Sequence, residues 1–211
     1  MAQVARPNFR SLVSPFSLIA LFSVGHVVTA IALQSVSHVA PWVDGSPLNV
    51  MNGTLLSISA ALALLMALLT TAAPTRAVPW LVAGLVFAAV AVEEVFPLEA
   101  LAEQLRGDGA KVGLAVLTAF AISLTVRSPF VPGRAVALLG LGYGAQLNFL
   151  LVELGDGTLF TLPGFSLQEL RLLEEYLEFG AASLYFAGIS DVVLTEIGAS
   201  GPDPAHRVED A

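Results

Sequence analysis

Cysteine is missing from all 211 residues of the sequence. Its absence excludes disulfides, thiolate metal sites and cysteine nucleophiles. Charge is also scarce: only 12% of residues are Asp, Glu, Lys or Arg, against about 25% in an ordinary soluble domain. Hydrophobic residues make up 56% and mean hydropathy is +0.81, so the chain belongs in a lipid bilayer. Positive charge is the scarcest kind, with 9 Lys and Arg against 17 Asp and Glu and a net charge of −8. Lys111 is the only lysine. That balance disfavours nucleic acid as a partner and suits cations better. The chemistry left to the chain must come from carboxylates, hydroxyls, His26 or His38.

What is present is a series of long apolar runs. The patterning predicts an all-α fold, a polytopic membrane bundle of six transmembrane helices over about 15–33, 51–73, 79–97, 111–126, 135–152 and 170–196. Residues 198–211 read as a disordered tail, rich in Pro, Gly and Asp. A signal-peptide reading competes for the first run, because Ala30-Ile31-Ala32 resembles a cleavage site behind Arg6 and Arg10; we read it as a retained span. His26 falls about 16 Å along that helix, near mid-bilayer, where histidine commonly bonds to a neighbouring helix. Helix two is almost featureless, closed by Pro74, and reads as lipid-facing. Asn52-Gly53-Thr54 within it matches a glycosylation acceptor but abuts a span, so we read it as chance. Trp42 reads as an interface anchor.

Two acidic stretches interrupt this monotony. Helix three ends at Glu93-Glu94 with Pro97 beyond, a proline that leaves the Glu93 carbonyl without its helical donor. Residues 98–105 then read as an amphipathic extension. Helix six opens with Ser166 and Glu169 in a capping-box spacing and continues through Arg171, Glu174, Glu175 and Glu178. These four lie at i, i+3, i+4 and i+7, on one helical stripe that Ala182 and Tyr185 prolong. Helix five carries Gly140, Gly142 and Gly144, of which Gly140 with Gly144 has the small-xxx-small spacing of membrane helix pairs. Its far end is polar, with Tyr143, Gln146 and Asn148.

Topology predicts that the two acidic stretches meet. With six spans, Arg6, Arg10, Arg76, Arg127, Arg134 and Arg207 share the terminal side, against Arg106, Lys111 and Arg171 opposite. The positive-inside rule makes the termini cytoplasmic, in a prokaryotic plasma membrane. Glu93 and Glu94 end an outward-running helix and Glu174, Glu175 and Glu178 begin an inward-running one, so all five share an outer layer with Gln146 and Asn148. We expect helices three and six to be adjacent through Glu94, Glu175 and Glu178. Asp191, on the opposite face of helix six, is expected to point at protein or interface.

The Glu93-Glu94 helix ending and the Glu174-Glu175-x-x-Glu178-x-Gly180 helix start resemble motifs of uncharacterised multi-pass prokaryotic membrane proteins, in which an acidic pair precedes a His-Glu. The histidine position falls at Glu99 here. The resemblance covers two short stretches and implies no activity. Gly198-Ala199-Ser200-Gly201 copies the nucleophile motif of rhomboid-type proteases, but it follows the last span and lacks a buried histidine base. Microbial rhodopsins are excluded because no span carries a lysine within it, and three histidines are too few for membrane desaturases. The two halves of the chain do not read as inverted repeats.

Clustered carboxylates cannot all remain ionised without counter-charge. The first functional expectation is therefore a cation or proton site in a transporter or metal-dependent membrane protein. A divalent metal would be held by Glu94, Glu175, Glu178, Glu93 and His26, with Glu174, Asn148 and Arg171 in support. The alternative is an accessory or structural subunit of a larger membrane complex, its partners being lipid, other membrane subunits or a second copy of itself. A third expectation is that the stripe is merely solvated. Whether the chain catalyses anything is left open by the sequence, although its short loops offer little soluble surface for catalysis.

Overall fold

A computed structural model describes residues 14–41, 46–95, 108–128, 130–154 and 166–199. These residues form six helices: α1 Pro15–Val36, α2 Pro47–Leu69, α3 Pro74–Val95, α4 Asp108–Val126, α5 Gly133–Leu154 and α6 Leu167–Ala199. Five of them are long and apolar enough to cross a membrane. The apolar part of α4, Val112–Val126, is shorter, so the expected sixth span is a helix of lesser length. Trp42, Pro97, the stretch 98–105, Arg6, Arg10, Arg106 and Arg207 lie outside the described residues, as do positions 200–211 of the tail.

The helix limits differ from the hydropathy reading for a local reason. Pro47, read as lying in a loop, and Pro74, read as a helix stop, are first-turn residues, as Pro15 is at the expected start of α1. Pro15 follows the N-cap Ser14, Pro47 follows the N-cap Ser46, and Pro74 opens α3. Proline fits there because the first helical N–H has no intrahelical acceptor and φ near −65° is already helical. Helix α2 accordingly runs four residues earlier than expected, and Leu69, not Ala73, ends it. In α6 the expected capping box is formed: Ser166 N–H donates to Glu169 Oε2 at 2.7 Å and Glu169 N–H donates to Ser166 Oγ at 3.3 Å. Ser166→Ala should fray this first turn at a cost of about 1 kcal/mol, measured as faster amide exchange at Leu167–Leu170 than in the wild type.

Helix α2 is the largest correction to the sequence reading. One face packs extensively on α3 and α6 and also touches α1, and only the other face, with Val50, Leu65 and Leu68, is exposed. Ten of its residues are buried, among them Asn52, Gly53, Leu55, Ser59, Ala60, Ala63 and Ala67. The small ones allow close approach, and the fit is tight: a Cβ at Gly84 of α3 would fall 2.7 Å from the Leu64 side chain of α2. Helix α1 is the peripheral one, with most of its large side chains exposed.

Helices α3 and α6 make little backbone contact but join through long side chains at three levels. Arg76 donates to both carboxylate oxygens of Glu196 at 3.1 Å, with its guanidinium carbon 3.7 Å from the centre of the Phe130 ring. Phe87 packs on Tyr185 with ring centres 5.0 Å apart. Glu94 and Glu178 line one cleft. The steps between these residues along α3 equal the steps back along α6, and each series lies on a single helical stripe, as antiparallel neighbours require. The bundle thus has an arginine end, where Arg134 Nε also lies 2.6 Å from Asp191 Oδ2, and a carboxyl end. Asp191 faces protein, as expected, and is buried.

Candidate functional site

The carboxyl end gathers the finish of α3, the start of α2, the finish of α5 and the first half of α6. A cleft of about 30 Å³ lies there, lined by Glu93, Glu94, Gln146, Glu178 and Tyr185 with Leu56 and Phe149. That is room for roughly two water molecules. Its shape follows from the α6 sequence: Ala181 and Ala182 leave space one turn below Glu178, and Tyr185 closes the inner end. Tyr185 is fixed by donating its hydroxyl hydrogen to Gln146 Oε1 at 2.5 Å and by its contact with Phe87.

Three side chains from three helices meet at Glu94. Its carboxyl group lies close enough to Glu178 of α6, Asn52 of α2, Glu93 and Glu175 to interact with each of them. Asn52 is only 2% exposed, and its Oδ1 has no partner. A buried amide oxygen left unbonded is costly, which makes Asn52 the residue the sequence reading should have singled out. Its polar amide in an otherwise apolar helix was the available signal. The glycosylation pattern around it is indeed fortuitous, because Asn52 sits inside α2.

The remaining expected ligands are placed elsewhere. Glu175 turns toward α2: the Asn49 amide nitrogen, oriented toward its acceptors, lies 3.1 Å from Glu175 Oε2. Glu174 is half-buried and Arg171 is exposed on the same stripe. His26 lies outside the cleft lining. Its Nε2 is 3.2 Å from the Met51 carbonyl oxygen, and its ring stacks between Phe22 and Phe179, so it joins α1 to α2 and α6. Asn148 is exposed and donates to the Gly144 carbonyl of its own helix at 2.7 Å.

This dispersal corrects the divalent-metal expectation. Among the described residues, no group of three or more His, Asp or Glu side chains could hold one metal ion. Helical geometry explains the failure, because Glu174, Glu175 and Glu178 span a stripe about 100° wide and therefore face different neighbours. Of the five expected ligands, Glu93, Glu94 and Glu178 line one cleft, while Glu175 turns to Asn49 and His26 to the Met51 carbonyl. Comparison with known proteins adds no constraint: no family model, no curated protein and no solved structure matches the chain.

Proposed function

We propose that this chain is an integral membrane protein whose Glu94–Glu178 pair binds and releases one proton at the outer side of the bilayer. The meeting of the two carboxyl-bearing side chains in one cleft carries the reading. Ionised carboxylates only accept hydrogen bonds, so two of them can bond to each other only with a hydrogen between them. One proton leaves the pair with a single negative charge, within reach of the Asn52 amide. Glu93 on the same helix and Glu175 on α6 add negative charge nearby. From α4 and α5 the cleft receives Leu114, Gln146 and Phe149, which carry no charge.

The cleft gives the proton a path, since water in it reaches Glu94, Glu178 and Gln146 together. The arginine end supports the outward placement, with Arg76, Arg127 and Arg134 opposite the carboxyl pair. A proton site of this kind suits a small transporter or a proton-responsive membrane protein. Infrared spectroscopy of the full-length protein in lipid nanodiscs at neutral pH is the test. We expect a carboxylic-acid carbonyl band that disappears in Glu94→Gln and equally in Glu178→Gln, because the remaining carboxylate then accepts from the new amide. Glu175→Gln should leave it in place. A wild-type protein without the band, or a band that survives in both variants, would rule the reading out.

A further inference from the structure

The outer side of the α2–α3 hairpin carries a groove in two parts. The first, about 350 Å³, is lined by Asn49, Gly53, Thr54, Ser57 and Glu94 among others. The second, about 410 Å³, is lined by Ser57, Ala60, Ala61, Leu64, Ala88 and Ala91 among others. Ser57 belongs to both, so the two parts run together. Their floor is open because the hairpin places glycine and alanine where longer side chains would fill the space, and Leu64, seated against Gly84, closes the far end.

The groove is polar at one end and apolar at the other. Glu94 stands at the polar end and also lines the interior cleft, so the groove opens on the carboxyl pair from the side. From Gly53 to Leu64 the groove follows α2 for about 16 Å, close to half of a hydrocarbon thickness of about 30 Å. That is the depth of one leaflet. An apolar trough one leaflet deep fits a single hydrocarbon chain, and its head must suit Glu94. Among the described residues no lysine or arginine lines either part, so a phosphate head would meet a carboxyl group there and no counter-charge. An ammonium head meets the opposite sign, with three hydrogens to donate to oxygen acceptors.

We infer that this groove binds a long-chain primary amine from the bilayer, its ammonium on Glu94 and its chain along the alanines of α2 and α3. The inference rests on the shared-proton reading, because an ammonium arriving at Glu94 takes the place of the proton held with Glu178. Charge balances: one ammonium binds and one proton leaves to water.

The test uses the full-length protein in phosphatidylcholine nanodiscs with tetradecylammonium chloride, and tetradecanol as the neutral chain of equal length. Native mass spectrometry reads binding, and a pH indicator in weak buffer reads proton release against empty nanodiscs. The amine should bind about tenfold or more tightly than the alcohol, as expected for a charge-assisted hydrogen bond, with one proton released per amine. Ala61→Phe and Ala88→Leu fill the trough from its two walls and should each abolish that binding while keeping the carboxylic-acid band. Glu94→Gln should erase the preference for amine over alcohol. Equal binding of amine and alcohol, or undiminished binding by both trough-filling variants, overturns the groove assignment. Binding without proton release overturns the displacement, and a wild-type protein lacking the acid band overturns the proton reading while leaving the groove to stand on its chain and head preferences.

Discussion

Replacing Arg134 with alanine should lower the midpoint of thermal unfolding by about 10 °C, the largest effect expected of any single charge in the bundle. The reason is an asymmetry within the pair. Asp191 is 1% exposed whereas the Arg134 side chain is 54% exposed, and they meet at 2.6 Å. Removing the arginine strands a carboxylate in an apolar interior, where ionisation is penalised severely without a partner. Removing the carboxylate instead returns the guanidinium to solvent at little cost. Arg134→Ala combined with Asp191→Leu should therefore recover most of the loss, since a hydrophobic side chain of similar size suits the site. Differential scanning fluorimetry in detergent measures all three, and a shift of less than about 2 °C for Arg134→Ala would show that the pair does not hold α5 to α6.

The second large effect is expected at Gly142. A methyl group there would fall 2.8 and 2.9 Å from the Tyr185 ring and 3.2 Å from Leu184 Cβ. Tyr185 has nowhere to retreat, held between its bond to Gln146 and the face of Phe87. Overpacking of this kind costs about 1–3 kcal/mol, and because Tyr185 lines the cleft, the carboxylic-acid band should shift as well. Gly140→Ala and Gly144→Ala are the controls. Nothing lies within 4 Å of a Cβ at either, so each should stay within about 0.5 kcal/mol of wild type. Equal effects at the three positions would contradict the close α5–α6 packing.

Gly142 also marks where sequence reasoning failed. Gly140 with Gly144 has the spacing of a helix-packing motif, yet the glycine that admits α6 lies between them. Spacing names candidate pairs but not the face that meets a neighbour. The same limit explains α2, read as a lipid-facing helix and found packed against three others, and Asn52, hidden behind a chance motif. His26 shows the converse. Its bond to another helix was read from sequence, but grouping it with the carboxylates assumed a contact between helices that sequence position alone does not give.

The sequence by itself determined the class of the protein and its helices. Long apolar runs must become helices in a bilayer, since only there can the backbone satisfy itself. The capping box of α6 was legible for the same reason, being decided within four residues. Only the tertiary structure decided that Glu94 meets Glu178 and Asn52, that Glu175 turns to Asn49, and that one face of α2 packs against its neighbours. Lipid tails and packed side chains are equally apolar, so hydrophobicity does not distinguish a helix face turned to lipid from one turned to protein. That choice rests on which small residues let two helices close, a property of the pair that neither sequence segment carries alone.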